Sequence, residues 1–206
     1  MFDLPPPDPG FEITIASRGI SKGLAQTEGP QLLVRPELAF GRAYVGAYAK
    51  NVTSTSSDGE AGPVIGIRPQ SSGFDLSLSA TLKLALSPVG DTDDEALELA
   101  ASVSRSIGAL TPRLGITWSP DDLGSTGRST FVEGGATLRL AANTNAGAAF
   151  ARRERDGGPD YGAFNAGVSH KLGGRLTLDL RYYDTDRSGL GEPFRARVIG
   201  SVRARF

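Results

Sequence analysis

Apolar and polar residues alternate along most of this chain. In FDLSLSATLKLAL, Phe74, Leu76, Leu78, Ala80, Leu82, Leu84 and Leu86 occupy one parity, and Asp75, Ser77, Ser79, Thr81 and Lys83 the other. Successive side chains of a strand point to opposite faces, so a run of strict period two predicts a strand with one apolar and one polar face. Leu110, Pro112, Leu114, Ile116 and Trp118 repeat the pattern, as do Leu176, Leu178, Leu180 and Tyr182, and Leu32, Val34, Pro36, Leu38 and Phe40. In the final stretch FRARVIGSVRARF, Phe206, Ala204, Val202, Gly200, Val198, Ala196 and Phe194 oppose a face carrying Arg205, Arg203, Arg197 and Arg195. Such a strand needs hydrocarbon on one side and water on the other.

The connections alternate as well. Long polar segments at 20–31, 54–63, 87–94, 119–128, 155–162 and 185–193 are separated by short turns near Gly41–Arg42, Gln70–Gly73, Ser106–Ala109, Ala142–Asn145 and Leu172–Gly174. This rhythm predicts about twelve strands (ten at the least), each long enough to cross a bilayer with tilt. The fold expected is all-β: a transmembrane antiparallel up-and-down β-barrel, with long extracellular loops on one rim and short periplasmic turns on the other. A water-soluble sandwich or lipocalin-like barrel shows similar alternation. Against it, the apolar faces are rich in small residues, as in Ala43, Val45, Ala47 and Ala49, which fill a dry core poorly.

Composition narrows the reading. The 206 residues include 27 glycines, no cysteine and a single histidine, with a net charge of −1. Disulfides and thiolate metal sites are therefore absent, and nothing draws the chain to nucleic acid. No apolar run is long enough for a transmembrane helix. The opening MFDLPPPDPG lacks a basic n-region and an apolar h-region, so no signal peptide is expected in it. Residues 1–10, with Pro5, Pro6, Pro7 and Pro9, read as an extended periplasmic tail, and 11–206 as the barrel.

Several positions resemble the TorF-type porin family of Gram-negative outer membranes. They are Arg18, Gly19, Ile20 and Ser21, then Gly46, Tyr48, Asn51 and Val52, and the segment LDLRYYDTD at 178–186 followed by the terminal strand. The chain departs from that pattern at Ser17 and in its alternating terminal arginines. The resemblance implies an outer-membrane barrel of pore function, with no defined substrate or catalytic residue. Terminal Phe206 with apolar residues at alternate positions resembles the signal that the barrel assembly machinery reads in outer-membrane proteins.

Near-neutral charge conceals a separation. Strand parity places Arg18, Arg35, Lys83, Arg113, Arg139, Arg181, Arg195, Arg197, Arg203 and Arg205 in the lumen, together with Lys50, Arg68, Arg153, Arg155 and Lys171. The inward acids expected are Glu12, Glu37, Glu133 and Asp179, with Asp75 and Glu98. The long loops collect most remaining acids, including Glu60 and Asp122, and few bases, Lys22 among them. Glu12 and Asp179 are expected to partner the terminal arginines.

Two readings of the lumen stand at this point. Surplus bases would favour small anions in a passive pore, as rings of Arg and Lys do. Alternatively, the same residues form salt bridges that fill the barrel, leaving a non-conducting structural or accessory barrel that anchors another membrane or surface-layer protein. Asp91, Asp93, Asp94, Glu95, Asp121 and Asp122 offer oxygen donors, but their spacing matches no defined calcium loop, and a solvated acidic face is the preferred reading. No cofactor, metal site or catalytic residue is expected. His170 reads as an interfacial side chain, and Tyr161, Tyr182 and Trp118 as an aromatic girdle. The partners expected are outer-membrane lipid and lipopolysaccharide, the assembly machinery and small solutes.

Overall fold

The computed structural model describes residues 5–53, 57–88 and 93–206. Twelve long strands form the wall: β1 (Asp8–Ala16), β2 (Gln31–Phe40), β3 (Ala43–Asn51), β4 (Gly59–Ile67), β5 (Phe74–Leu86), β6 (Glu95–Arg105), β7 (Leu110–Asp122), β8 (Gly127–Ala141), β9 (Thr144–Arg155), β10 (Tyr161–Leu172), β11 (Leu176–Thr185) and β12 (Arg197–Arg205). Each pairs antiparallel with its neighbours in sequence, and β12 closes on β1 with Glu12 opposite Arg205 and Ala16 opposite Ser201. Closure leaves no free edge among the described strands, as hydrocarbon requires. Phe206 extends the seam, its N–H donating to the Phe11 carbonyl at 2.9 Å. Asp8, Pro9 and Gly10 belong to β1 rather than to the proline-rich tail in which the sequence pattern left them.

The molecule is inside-out relative to a water-soluble domain. Phe150, Val198 and Leu180 are 68%, 61% and 60% exposed, while the buried apolar residues are few and mostly lie at one mouth. Leu78 and Leu178, which a soluble sandwich would bury, lie on the open face at 48% and 40%. The outer wall is thus an apolar band of the kind that lipid covers.

Short turns at one rim use glycine in the left-handed region at Gly41, Gly73, Gly108 and Gly173. The opposite rim carries the longer connections. Two of these are shorter than the sequence suggested. β4 begins at Gly59 although GEAGP reads as loop, because Gly62 fits where a Cβ would run into the Leu82 backbone. β7 runs on to Asp122, with a register shift between Ser119 and Asp122.

Candidate pore lumen

The segment between β1 and β2 does not arch away from the barrel. Its residues Ile20–Ser21 and Leu24–Ala25 pair as a short hairpin. Lys22 and Gly23, with φ of 50° and 83°, make the tight turn, and two successive positive φ values describe the hairpin turn whose twist matches its strands. At its base the Gly19 N–H donates to Thr27 Oγ1 at 2.8 Å and the Gln26 N–H to the Gly19 carbonyl at 2.8 Å. The turn reaches the far wall. Lys22 Nζ lies 2.7 Å from Glu98 Oε2 on β6 and 2.8 Å from Asp122 Oδ2 on β7.

Asp122 gathers the charges of this upper half. It pairs with Lys83 of β5, accepts from Arg153 Nη2 at 3.0 Å and from Ser129 Oγ at 3.1 Å. A strict alternation from Ser119 turns Asp121 inward and Asp122 outward. The register shift places two residues of β7, Pro120 and Asp121, against one of β8, Arg128, a bulge that reverses the parity. Nearby, Glu60 pairs with Lys50 at 3.3 Å and accepts from the Tyr48 hydroxyl at 2.7 Å, while Lys50 donates to Gln26 of the hairpin loop at 2.8 Å. Lys22, Glu60 and Asp122 therefore belong to the lumen and not to the outer rim. Tyr161 is no girdle residue either: it is fully buried, donates to the Lys22 carbonyl at 2.7 Å and meets the Phe194 ring edge-on at 5.5 Å. Phe194 sits inside this mouth cluster rather than on the lipid face, carried by a 3-10 turn before β12.

The lower half is more open. Glu12 sits between Arg205 (2.7 Å), Arg203 (3.6 Å) and Arg35 (4.0 Å), tying β1 to both of its neighbours. Asp179, the other expected partner of the terminal arginines, faces Arg181 at 3.4 Å on its own strand, and Arg181 also donates to Asn165 at 2.7 Å. Glu37 takes both amino groups of Arg68 at 2.6 and 2.7 Å, and that guanidinium stacks 3.8 Å from the Tyr44 ring. Arg113 faces Glu133 at 3.5 Å, and Arg139 donates to the Gly108 carbonyl at 3.3 Å beside a short turn.

Three predicted lumen residues lie at the mouth. Arg18 pairs with Glu192 and donates to the Glu28 carbonyl at 2.9 Å, and Arg197 lies 3.6 Å from Glu192. Arg195 precedes β12, caps the 3-10 turn at Glu192–Phe194 and is exposed, so it lies outside the wall that parity assigned it to. His170 stands on the outer wall against Thr144 at 2.9 Å. Trp118 and Tyr182 face outward and are partly exposed. Asp91 lies outside the described residues, and no acidic cluster able to hold a metal occurs among those described.

Two lobes of the bore border the hairpin. One, of about 380 Å³, is lined by Ile20, Lys22, Gly23, Arg113, Phe131, Glu133, Arg181 and Tyr183. The other, of about 310 Å³, is lined by Ser21, Arg35, Glu37, Tyr44, Lys50, Glu60, Arg68 and Lys83.

No protein-family model matches the chain, and no curated protein matches it in sequence. Solved structures share its fold. The KdgM porin in complex with disordered oligogalacturonate superposes with a TM-score of 0.65 at 11% identity, over 96% of this chain and 99% of that one. The NanC porin gives 0.60 at 7% identity over 95% and 97%, and the COG4313 outer membrane channel from Pseudomonas putida F1 gives 0.55 at 10% over 100% and 96%. A closed twelve-strand antiparallel wall, apolar outside and charged within, is the fold of a transmembrane β-barrel, and these solved porins and channels share that fold along almost their whole length.

Proposed function

We propose that the chain is a passive diffusion channel of the Gram-negative outer membrane that prefers small hydrophilic anions. One observation carries the preference. In the open half of the lumen most guanidinium groups are more open to water than their carboxylates: side-chain exposure is 68% for Arg205 against 15% for Glu12, and 58% for Arg113 against 30% for Glu133, whereas Arg181 and Asp179 are equally covered. A passing ion meets the bases first, and rings of Arg and Lys select anions. The neighbour solved with oligogalacturonate, an acidic sugar chain, handles a solute of the same charge class. The TorF-type resemblance noted at Arg18, Gly19, Ile20, Ser21, Gly46 and Tyr48 also implies a pore. Lipid and lipopolysaccharide would clothe the wall, and the assembly machinery would read the strand ending in Phe206.

Reversal potential across a planar bilayer in a salt gradient tests this reading. Anion preference is expected; cation preference removes it.

A second reading has its own support. The hairpin spans the bore and its turn is held by buried charges, which fits a non-conducting barrel that anchors a membrane or surface-layer partner. Liposome swelling separates the two, because a folded barrel that passes no solute is the accessory protein.

A further inference from the structure

The twelve-strand ladder is complete without residues 17–30, yet this segment occupies the middle of the bore. Lys50 and Thr53 tie its base at Gln26, and two further contacts hold its turn and flank in place. Inside, Lys22 joins Glu98 and Asp122 on the wall opposite β1 and β2. At the mouth, Leu24 packs on Tyr161, Ala163 and Phe194. The second contact depends on residues 186–196, which form the last long connection: Phe194 rides on it, its carbonyl accepts from Thr185 Oγ1 at 2.7 Å, and Glu192 reaches Arg18 at the base of the hairpin. The hairpin itself adds no rung to the wall and is held by side chains and two backbone carbonyls, that of Lys22 accepting from the Tyr161 hydroxyl and that of Gln26 at its base accepting from the Thr53 N–H at 2.6 Å. Its withdrawal would therefore leave the barrel closed and merge the two lobes into one conduit.

We infer that residues 19–27 are a movable plug, fastened by the Lys22 charge latch within the barrel and by the Leu24–Phe194 clasp at its outer mouth, and that this plug sets the size limit of the pore. The inference rests on the pore reading above. The latch is electrostatic and specific: reversing the charge at Lys22 sets it against Glu98 and Asp122, so the hairpin loses its seat while the wall keeps Lys83 and Arg153 to neutralise Asp122. The clasp lies on an exposed connection, so displacement of residues 186–196 from outside the cell frees the plug from above.

Single-channel conductance and exclusion of graded polyethylene glycols, measured on the refolded full chain and on Lys22→Glu and Phe194→Ala, test the inference. Folding of each variant is checked by β-type circular dichroism and heat-dependent gel mobility. A several-fold rise in conductance with admission of larger polymers is expected for Lys22→Glu, and a smaller rise for Phe194→Ala. Where Lys22→Glu does not refold, replacing residues 20–25 by a short Gly-Ser link gives the same reading. Equal conductance and equal exclusion in all folded proteins overturn the plug and leave the pore intact. Silence in all of them overturns both. A silent wild type beside a conducting variant supports the plug and removes the always-open pore.

Discussion

Lys22 and Asp122 are 100 residues apart in the chain and 2.8 Å apart in the barrel. Their side chains are 10% and 3% exposed, so the pair is shielded from water in a way that surface ion pairs are not. Asp122 also serves Lys83, Arg153 and Ser129. Removing the shared carboxylate leaves Lys22, Lys83 and Arg153 facing one another, with Glu98 as the remaining ion-pair partner of the two lysines. Breaking a buried pair from one side costs about 3–5 kcal/mol, far more than an exposed pair contributes. Asp122→Ala should lower the guanidinium midpoint of the refolded barrel accordingly. A change below about 1 kcal/mol, the range of exposed pairs, would show that the site is wetter than its geometry implies.

Glu12 gives the opposite case, since its arginines are largely open to the lumen. Glu12→Gln should move stability by about 1 kcal/mol or less. It should shift the reversal potential further toward anions by unmasking Arg35, Arg203 and Arg205. The double change Arg203→Glu with Arg205→Glu should shift it toward cations. A selectivity indifferent to both substitutions places the narrowest passage elsewhere in the bore.

Leu180 tests the orientation of the wall. It is 60% exposed in the middle of β11, between Val168 and Gly200. Arginine on the lipid face at mid-bilayer costs about 2–4 kcal/mol. Leu180→Arg should therefore unfold at lower denaturant in a bilayer. Unchanged unfolding there would contradict hydrocarbon at this position.

Gly23 governs the hairpin turn. Its φ of +83° is reached easily only by glycine, and a Cβ would stand 2.5 Å from the Ala163 Cβ. Gly23→Ala should loosen the turn and expose Lys22, so limited trypsin should cut after Lys22 in the variant and spare it in the parent. Equal protection in both would mean that the wall at Ala163 yields to the methyl group.

How much of this was legible in the residues differs between wall and lumen. In β5, thirteen residues keep strict alternation, and the same rhythm marks β7, β11 and β12, because burial against lipid acts on every second side chain along the strand. Parity alone assigns Lys83, Arg113, Arg181 and Arg203 to the inner face, and in the structure they pair with Asp122, Glu133, Asp179 and Glu12. Parity fails where the strand breaks step or ends. Asp122 crosses to the lumen through one extra residue at a bulge, and no composition signal marks that insertion. Glu60 hides in GEAGP, whose glycines and proline read as loop although β4 has already begun. Arg195 keeps the parity of β12 but lies before the strand starts.

The chain by itself determined the all-β class, a strand number of about twelve and the two alternating faces of the wall, because these follow from local period and from counts along the strand. Only the tertiary structure decided that Lys22 and its hairpin fill the bore, that Asp122 joins three bases, and that Tyr161 and Phe194 clasp the mouth. Those contacts join segments far apart in sequence, and their partners are selected by the curvature of the closed barrel, which no local pattern encodes.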